Sequence, residues 1–205
     1  MDKTLNLDQV KAYCVDRISE IRSVFVVSPA FGFVCAASFI EFVSKLYTGI
    51  DKDGAGYIEF IENEFPAKYK TFKFISTDMD LAKQIYTVFR CGLLHAFSLT
   101  PDEKNRDAKT VRTIVISHNG VYGDKKYTHL QNFTEGKFDA AMLIGEDFCK
   151  DIEYSLKFLN GSDALKNVQI RLLKQPPLSS VWDALEPTKT SRPLEDGFGN
   201  RVLAE

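Results

Sequence analysis

The chain has little of what most simply announces a function. Its 205 residues include one tryptophan, Trp182, together with three histidines and four cysteines. The net charge of −2 excludes a polybasic surface that binds nucleic acid or membranes by charge alone. An RNA partner would therefore have to rely on a local basic patch or a small contact area. Cys14, Cys35, Cys91 and Cys149 form no C-x-x-C pair, and each lies in an apolar helical pattern. They read as buried free thiols rather than zinc ligands or a redox pair. Ser-centred hydrolase elbows, phosphate loops and dinucleotide fingerprints are absent. MDKTLNLDQ carries no apolar signal-type run. The most apolar run, from Val24 to Phe42, is interrupted by Ser28, Pro29, Ser38 and Glu41. It reads as a buried core helix, not a membrane span, and the expectation is a cytoplasmic protein with no membrane partner. No cofactor is called for.

What is present is a core. Hydrophobic residues make up 44% of the chain, with 16 Phe and eight Tyr, enough for a sizeable globular interior. Asn6 and Gln9 resemble a capping pair opening a first helix, in which Val10, Tyr13, Cys14, Ile18, Ile21 and Val24 recur at helical spacing. Ser28-Pro29 suits the start of a second helix and Gly49 its end. This helix is apolar almost all round and so is expected at the centre. A polar loop, Asp51 to Gly56, leads to a third helical piece ending near Pro66. Thr77 and Asp80 cap the next helix, whose apolar set is Leu81, Ile85, Val88, Phe89, Leu93, Leu94 and Phe97. Thr100 to Thr110 reads as a charged loop.

From Val111 the period changes. A β-branched strand to Ser117, turn residues to Asp124 and a return strand from Tyr127 to Phe133 predict a β-hairpin at about 111–133. A long helix is expected from Phe138 to Leu159 and a last one over 163–174. The expected class is mainly α: an antiparallel helical bundle with an inserted β-hairpin, one domain over 1–186, and a C-terminal tail over 187–205. No internal repeat is visible.

Two segments carry chemistry. In FRCGLLHAF, Arg90 and His95 sit five apart in an apolar helix that also carries Gly92. A buried Arg is costly unless paired or facing a cleft, and Gly in a helix interior costs about 1 kcal/mol relative to Ala. Gly92 would let a helix or ligand approach the backbone closely. An imidazole exchanges protons near neutral pH, and a guanidinium fork suits a phosphate. On an α-helix, however, residues five apart project roughly 140° apart, presenting the pair poorly on one face. The second segment, Asp51–Glu62, has the letters of a calcium loop. Asp51, Asp53 and Glu62 fall at ligand positions, with Gly56 at the turn, the Tyr57 carbonyl and Glu59. Against it, Ala55 offers no side-chain oxygen and no second such loop exists. His118 and His129 read as surface histidines of the hairpin. Lys125 and Lys126 at its tip, with Tyr122 and Tyr127, are candidates for holding RNA by charge and stacking.

The Arg-x-x-x-x-His pattern within an apolar helix resembles the HEPN family (higher eukaryotes and prokaryotes nucleotide-binding), as does the order of helices over roughly residues 6–160. The resemblance implies a homodimeric, metal-independent endoribonuclease of a defence or toxin system. Arg90 would stabilise phosphate charge, His95 would act as acid or base, and RNA and an antitoxin or regulatory protein would be partners. The chain departs from the family at Cys91, where a polar residue, commonly Asn, is frequent. It departs again at Phe97, which lacks the hydroxyl of members that continue His-x-Tyr. The alternatives are a non-catalytic nucleotide- or protein-binding module of the same fold, and a calcium-binding protein.

Overall fold

The structure, a computed structural model, describes residues 7–49, 53–75, 78, 80–96, 99, 113–134 and 139–161, which all belong to one compact unit, Met1–Arg171. Among the described residues the chain is mainly helical with a small sheet. The expected charged loop over 100–110, the last helix over 163–174 and the tail over 187–205 lie outside them.

Helix α1 (Leu7–Val27) buries Val10, Cys14, Ile18, Ile21 and Phe25, one stripe at spacings of three and four. Ser28 is extended at φ −147°, and Pro29 opens α2 (Pro29–Thr48). Gly49, in the left-handed region at φ 67°, ends α2 by donating its N–H to the Lys45 carbonyl. Helix α2 packs against α1, α3 (Asp53–Glu64) and α6 (Gly145–Ser155), the central position its composition predicts. It is long and apolar enough to cross a membrane, and half of its most apolar window is buried inside the fold.

Three expectations are corrected by the α3–α5 region. The polar loop placed over 51–56 gives way to helix from Asp53, and α3 runs through the segment that a calcium loop would need open. Gly56 does not adopt a positive φ. The calcium reading needs Asp51, Asp53, Tyr57, Glu59 and Glu62 around a loop, but the backbone from Asp53 through Tyr57, Glu59 and Glu62 is wound into one α-helix; Asp51 and the side chain of Asp53 lie outside the described residues. After the short α4 (Lys68–Thr71), helix α5 opens at Leu81–Gln84, three residues later than a Thr77 cap would set it. Asp80 is the cap, accepting from the Ala82 N–H at 2.8 Å. Beyond Gln84 the helix widens into π-helical turns, Ile85–Arg90 and Gly92–Ala96.

The β region also differs. Strand β1 (Ile114–Ser117) does not fold back on the segment before Phe133. It pairs in parallel with β5 (Ala140–Ile144), Ile114 opposite Ala141, while β4 (Asn132–Phe133) pairs antiparallel on the other side of β5. The only two-residue hairpin among the described residues is smaller: β2 (Val121–Tyr122) and β3 (Lys125–Lys126), turning at Gly123 and Asp124. The helix expected from Phe138 therefore starts at Gly145, because Ala140–Ile144 is the central strand, buried at every position. A short, wholly apolar run has no period with which to tell a central strand from a buried helix. Met142, Ile144 and Ala140 face a cluster with Val115, Tyr127 and Phe133.

Phe25 joins the helices to the sheet region. A Cβ on Gly32 of α2 would stand 2.6 Å from its ring, and one on Gly145 of α6 2.8 Å from it. Its edge also meets Phe33, with ring centroids 4.8 Å apart. Two helices thus approach one aromatic ring from positions that admit no side chain. Gly145→Ala is expected to cost about 2 kcal/mol by overpacking, measured as a lower urea midpoint, with most of the loss relieved by adding Phe25→Leu. A neutral or stabilising Gly145→Ala would refute the slot.

Candidate functional site

The site is built where α2, α3 and α5 meet. Arg90 donates from Nε to Glu41 Oε2 at 2.9 Å, and Nη2 reaches the same oxygen. Lys45, one turn along α2, bonds the other carboxylate oxygen at 3.2 Å. The guanidinium lies over the Tyr86 ring, 5.7 Å from its centroid, and Nη1 points to Cys91 Sγ at 3.7 Å. Burial pushes the Glu41 carboxyl up, but hydrogen bonds from Arg90 and Lys45 outweigh it and hold it below the ordinary carboxylate value. Burial likewise opposes the charge of Arg90, and Glu41 with Cys91 outweighs it, so the guanidinium binds its proton more tightly than usual.

The backbone changes the relation of the two motif positions. The Cys91 N–H donates to the Tyr86 carbonyl, five residues back, as a π-helix requires. Such winding takes more residues per turn than an α-helix. Positions 90 and 95 therefore lie closer in projection than the roughly 140° expected of an α-helix. The side chain of His95 lies outside the described residues. Gly92 is half-buried, in the segment that packs on α2.

Tyr57 of α3 is fully buried, and its hydroxyl lacks a hydrogen-bond partner. Burial holds it well above the ordinary phenol value, with the charges of Arg90 and Glu41 acting on it in opposite directions. A residue expected to lend its carbonyl to calcium is instead a core ring packed on Tyr86, centroids 5.5 Å apart. Glu62 goes elsewhere. With Asp80 it lines a cavity of about 150 Å³ bounded also by Ile61, Tyr69, Lys70 and Ala82. Burial and the neighbouring Asp80 carboxylate push its carboxyl up. Among the described residues no cluster of three metal-ligating side chains occurs.

Lys125 and Lys126 are exposed on β3, and the Tyr122 ring is held edge-on against Phe133 at 4.8 Å. His118 is exposed and stacks on Phe25. All four cysteines are free; Cys14 and Cys149 are buried and pushed up to about 12 by desolvation, whereas Cys35 and Cys91 are half-buried.

His129 is not the surface histidine expected. Its side chain is only 4% exposed. Nδ1 accepts the Ile144 N–H at 2.9 Å, so the ring proton sits on Nε2, facing Asp151 Oδ2 at 2.9 Å and Tyr69 Oη at 3.0 Å. Tyr69 donates to the same Asp151 oxygen at 2.8 Å, and Lys68 bonds it at 2.8 Å. Sequence reasoning missed this network, although one signal was present: Asp151 stands on the stripe of α6 that Phe148, Ile152 and Ser155 bury. An acid at a core position needs partners. Burial pushes the Asp151 carboxyl up, and hydrogen bonds from His129, Lys68 and Tyr69 together bring it below its ordinary value.

Comparison with protein-family models, with curated proteins and with solved structures finds no match to the chain.

A carboxyl lowered by folding contributes its full stability above the unfolded pKa of about 3.9, and loses it as the pH falls from there through the folded value. Asp151→Asn is therefore expected to cost about 3 kcal/mol at pH 7, with the gap to the parent narrowing below about pH 4. Equal gaps in urea melts at pH 7 and pH 3 would contradict this account.

Proposed function

We propose that the chain is a HEPN-like protein that cleaves RNA without a metal, using Arg90 and His95. The observation that carries this reading is the held guanidinium: Glu41 and Tyr86 hold Arg90 on a π-helical turn, where positions 90 and 95 lie nearer in projection than on an α-helix. In the proposed step an imidazole takes the proton of a ribose 2′-hydroxyl, whose oxygen attacks the adjacent phosphorus. The P–O5′ bond breaks, the leaving oxygen takes a proton from a second imidazole, and a 2′,3′-cyclic phosphate results. Arg90 meets the charge that develops on the phosphorane oxygens. One motif His per chain makes a two-fold dimer part of the proposal, since base and acid are then separate groups. A defence or toxin setting, with an antitoxin or regulatory protein as partner, follows from the same resemblance, and a cytoplasmic location from the sequence reading.

One observation favours a second reading, a non-catalytic module that binds a nucleotide or protein through this region. Two donor groups of Arg90 are already engaged by Glu41, so a phosphate must either use the remaining donors or displace the carboxylate.

Incubating the protein with mixed RNA in EDTA decides between them. Cleavage by the parent, reduced by about 10²-fold or more in both Arg90→Ala and His95→Ala, is the expected result, with a dimer in light scattering. A confirmed dimer that leaves RNA intact would transfer the proposal to the binding module.

A further inference from the structure

Helix α3 carries glycine at 54, in a segment whose spacing suggested a metal loop but which is helical. Gly is a costly choice inside a helix unless something needs the space of its missing side chain. Here the occupant is the Tyr86 ring. A Cβ on Gly54 would overlap its Cε1 and Cζ atoms and stand 2.8 Å from its hydroxyl oxygen. The ring is thus set directly on the α3 backbone, with Tyr57 as a neighbour at 5.5 Å between centroids. The Arg90 guanidinium lies over this seated ring. The Tyr86 main-chain carbonyl also accepts the Cys91 N–H, and Cys91 Sγ lies 3.7 Å from Arg90 Nη1. The contacts form a chain from α3 to the guanidinium: Gly54, Tyr86, Arg90.

We infer that Tyr86, seated on Gly54, is a positioning residue for Arg90, its ring supporting the guanidinium while Glu41 holds two of the donors. A cation held against an aromatic face and a carboxylate has fewer orientations to lose when it meets a phosphate oxygen. As it bears on catalysis, this inference rests on the ribonuclease reading; as it bears on the geometry of Arg90, it does not.

The test uses two readouts on the full chain: RNA cleavage, and the alkylation rate of Cys91 by iodoacetamide, assigned by peptide mass spectrometry. Tyr86→Phe keeps the ring on Gly54 and is expected to leave Cys91 alkylation and the unfolding midpoint near the parent's. Gly54→Ala displaces the ring and with it the guanidinium that touches Cys91 Sγ. It is expected to change Cys91 alkylation about threefold or more. It should also lower kcat for cleavage about tenfold, with KM little changed, as befits a loss felt in the transition state. Gly54→Ala and Tyr86→Ala should not be additive: Gly54→Ala in a Tyr86→Ala background should cost little beyond Tyr86→Ala alone. Cys91 alkylation unchanged in Gly54→Ala, or full additivity, overturns the brace whatever the cleavage result. Altered alkylation with the expected coupling, in a parent that does not cleave RNA, supports the brace and rejects the ribonuclease reading.

Discussion

A single buried carboxylate, Asp151, ties the helical layer to the sheet. It cannot be buried alone, because an unpaired charge away from water costs several kcal/mol. Its partners come from separate parts of the chain: Lys68 and Tyr69 from α4, and His129 from the turn before β4. His129 carries the constraint one step further by accepting the Ile144 N–H, at the point where central strand β5 becomes α6. The strand-to-helix change that the sequence pattern concealed is thus held by a side-chain network. Moving any one partner leaves either a charge or a backbone donor without its bond.

The candidate site applies the same logic at a less buried place. The Arg90 side chain is 16% exposed and that of Glu41 26%, so the pair is neither a solvated surface ion pair nor a fully desolvated one. Its role is orientation more than stability, since a fork held at two donors keeps its plane. π-helical turns concentrate at functional sites because they present side chains at angles an α-helix cannot. Here the widening brings positions 90 and 95 closer in projection than an α-helix would.

The fit between sequence and structure is uneven for identifiable reasons. The α1–α2 pair was legible because Ser28, Pro29 and Gly49 act locally and the apolar stripe of α1 has a clear period. Arg90 stood out because a charge inside an apolar pattern signals a constraint, although its partner Glu41, 49 residues earlier, did not. Strand β5 was read as helix because AAMLI is apolar on both faces and has no alternation to display. The calcium-like spacing of Asp51–Glu62 misled because ligand letters do not carry backbone conformation, and Gly54 serves a ring 32 residues later.

By itself the sequence determined the helix boundaries set by local caps, the mainly helical class and the prominence of Arg90 and His95, all of which depend on residues within a few turns of one another. Only the tertiary structure decided the parallel pairing of β1 with β5, the π winding of α5, the burial of His129 beside Asp151, and Glu41 and Tyr86 as the neighbours of Arg90. These are contacts between segments distant in sequence. Their energy comes from desolvation and packing in three dimensions, which no local pattern records.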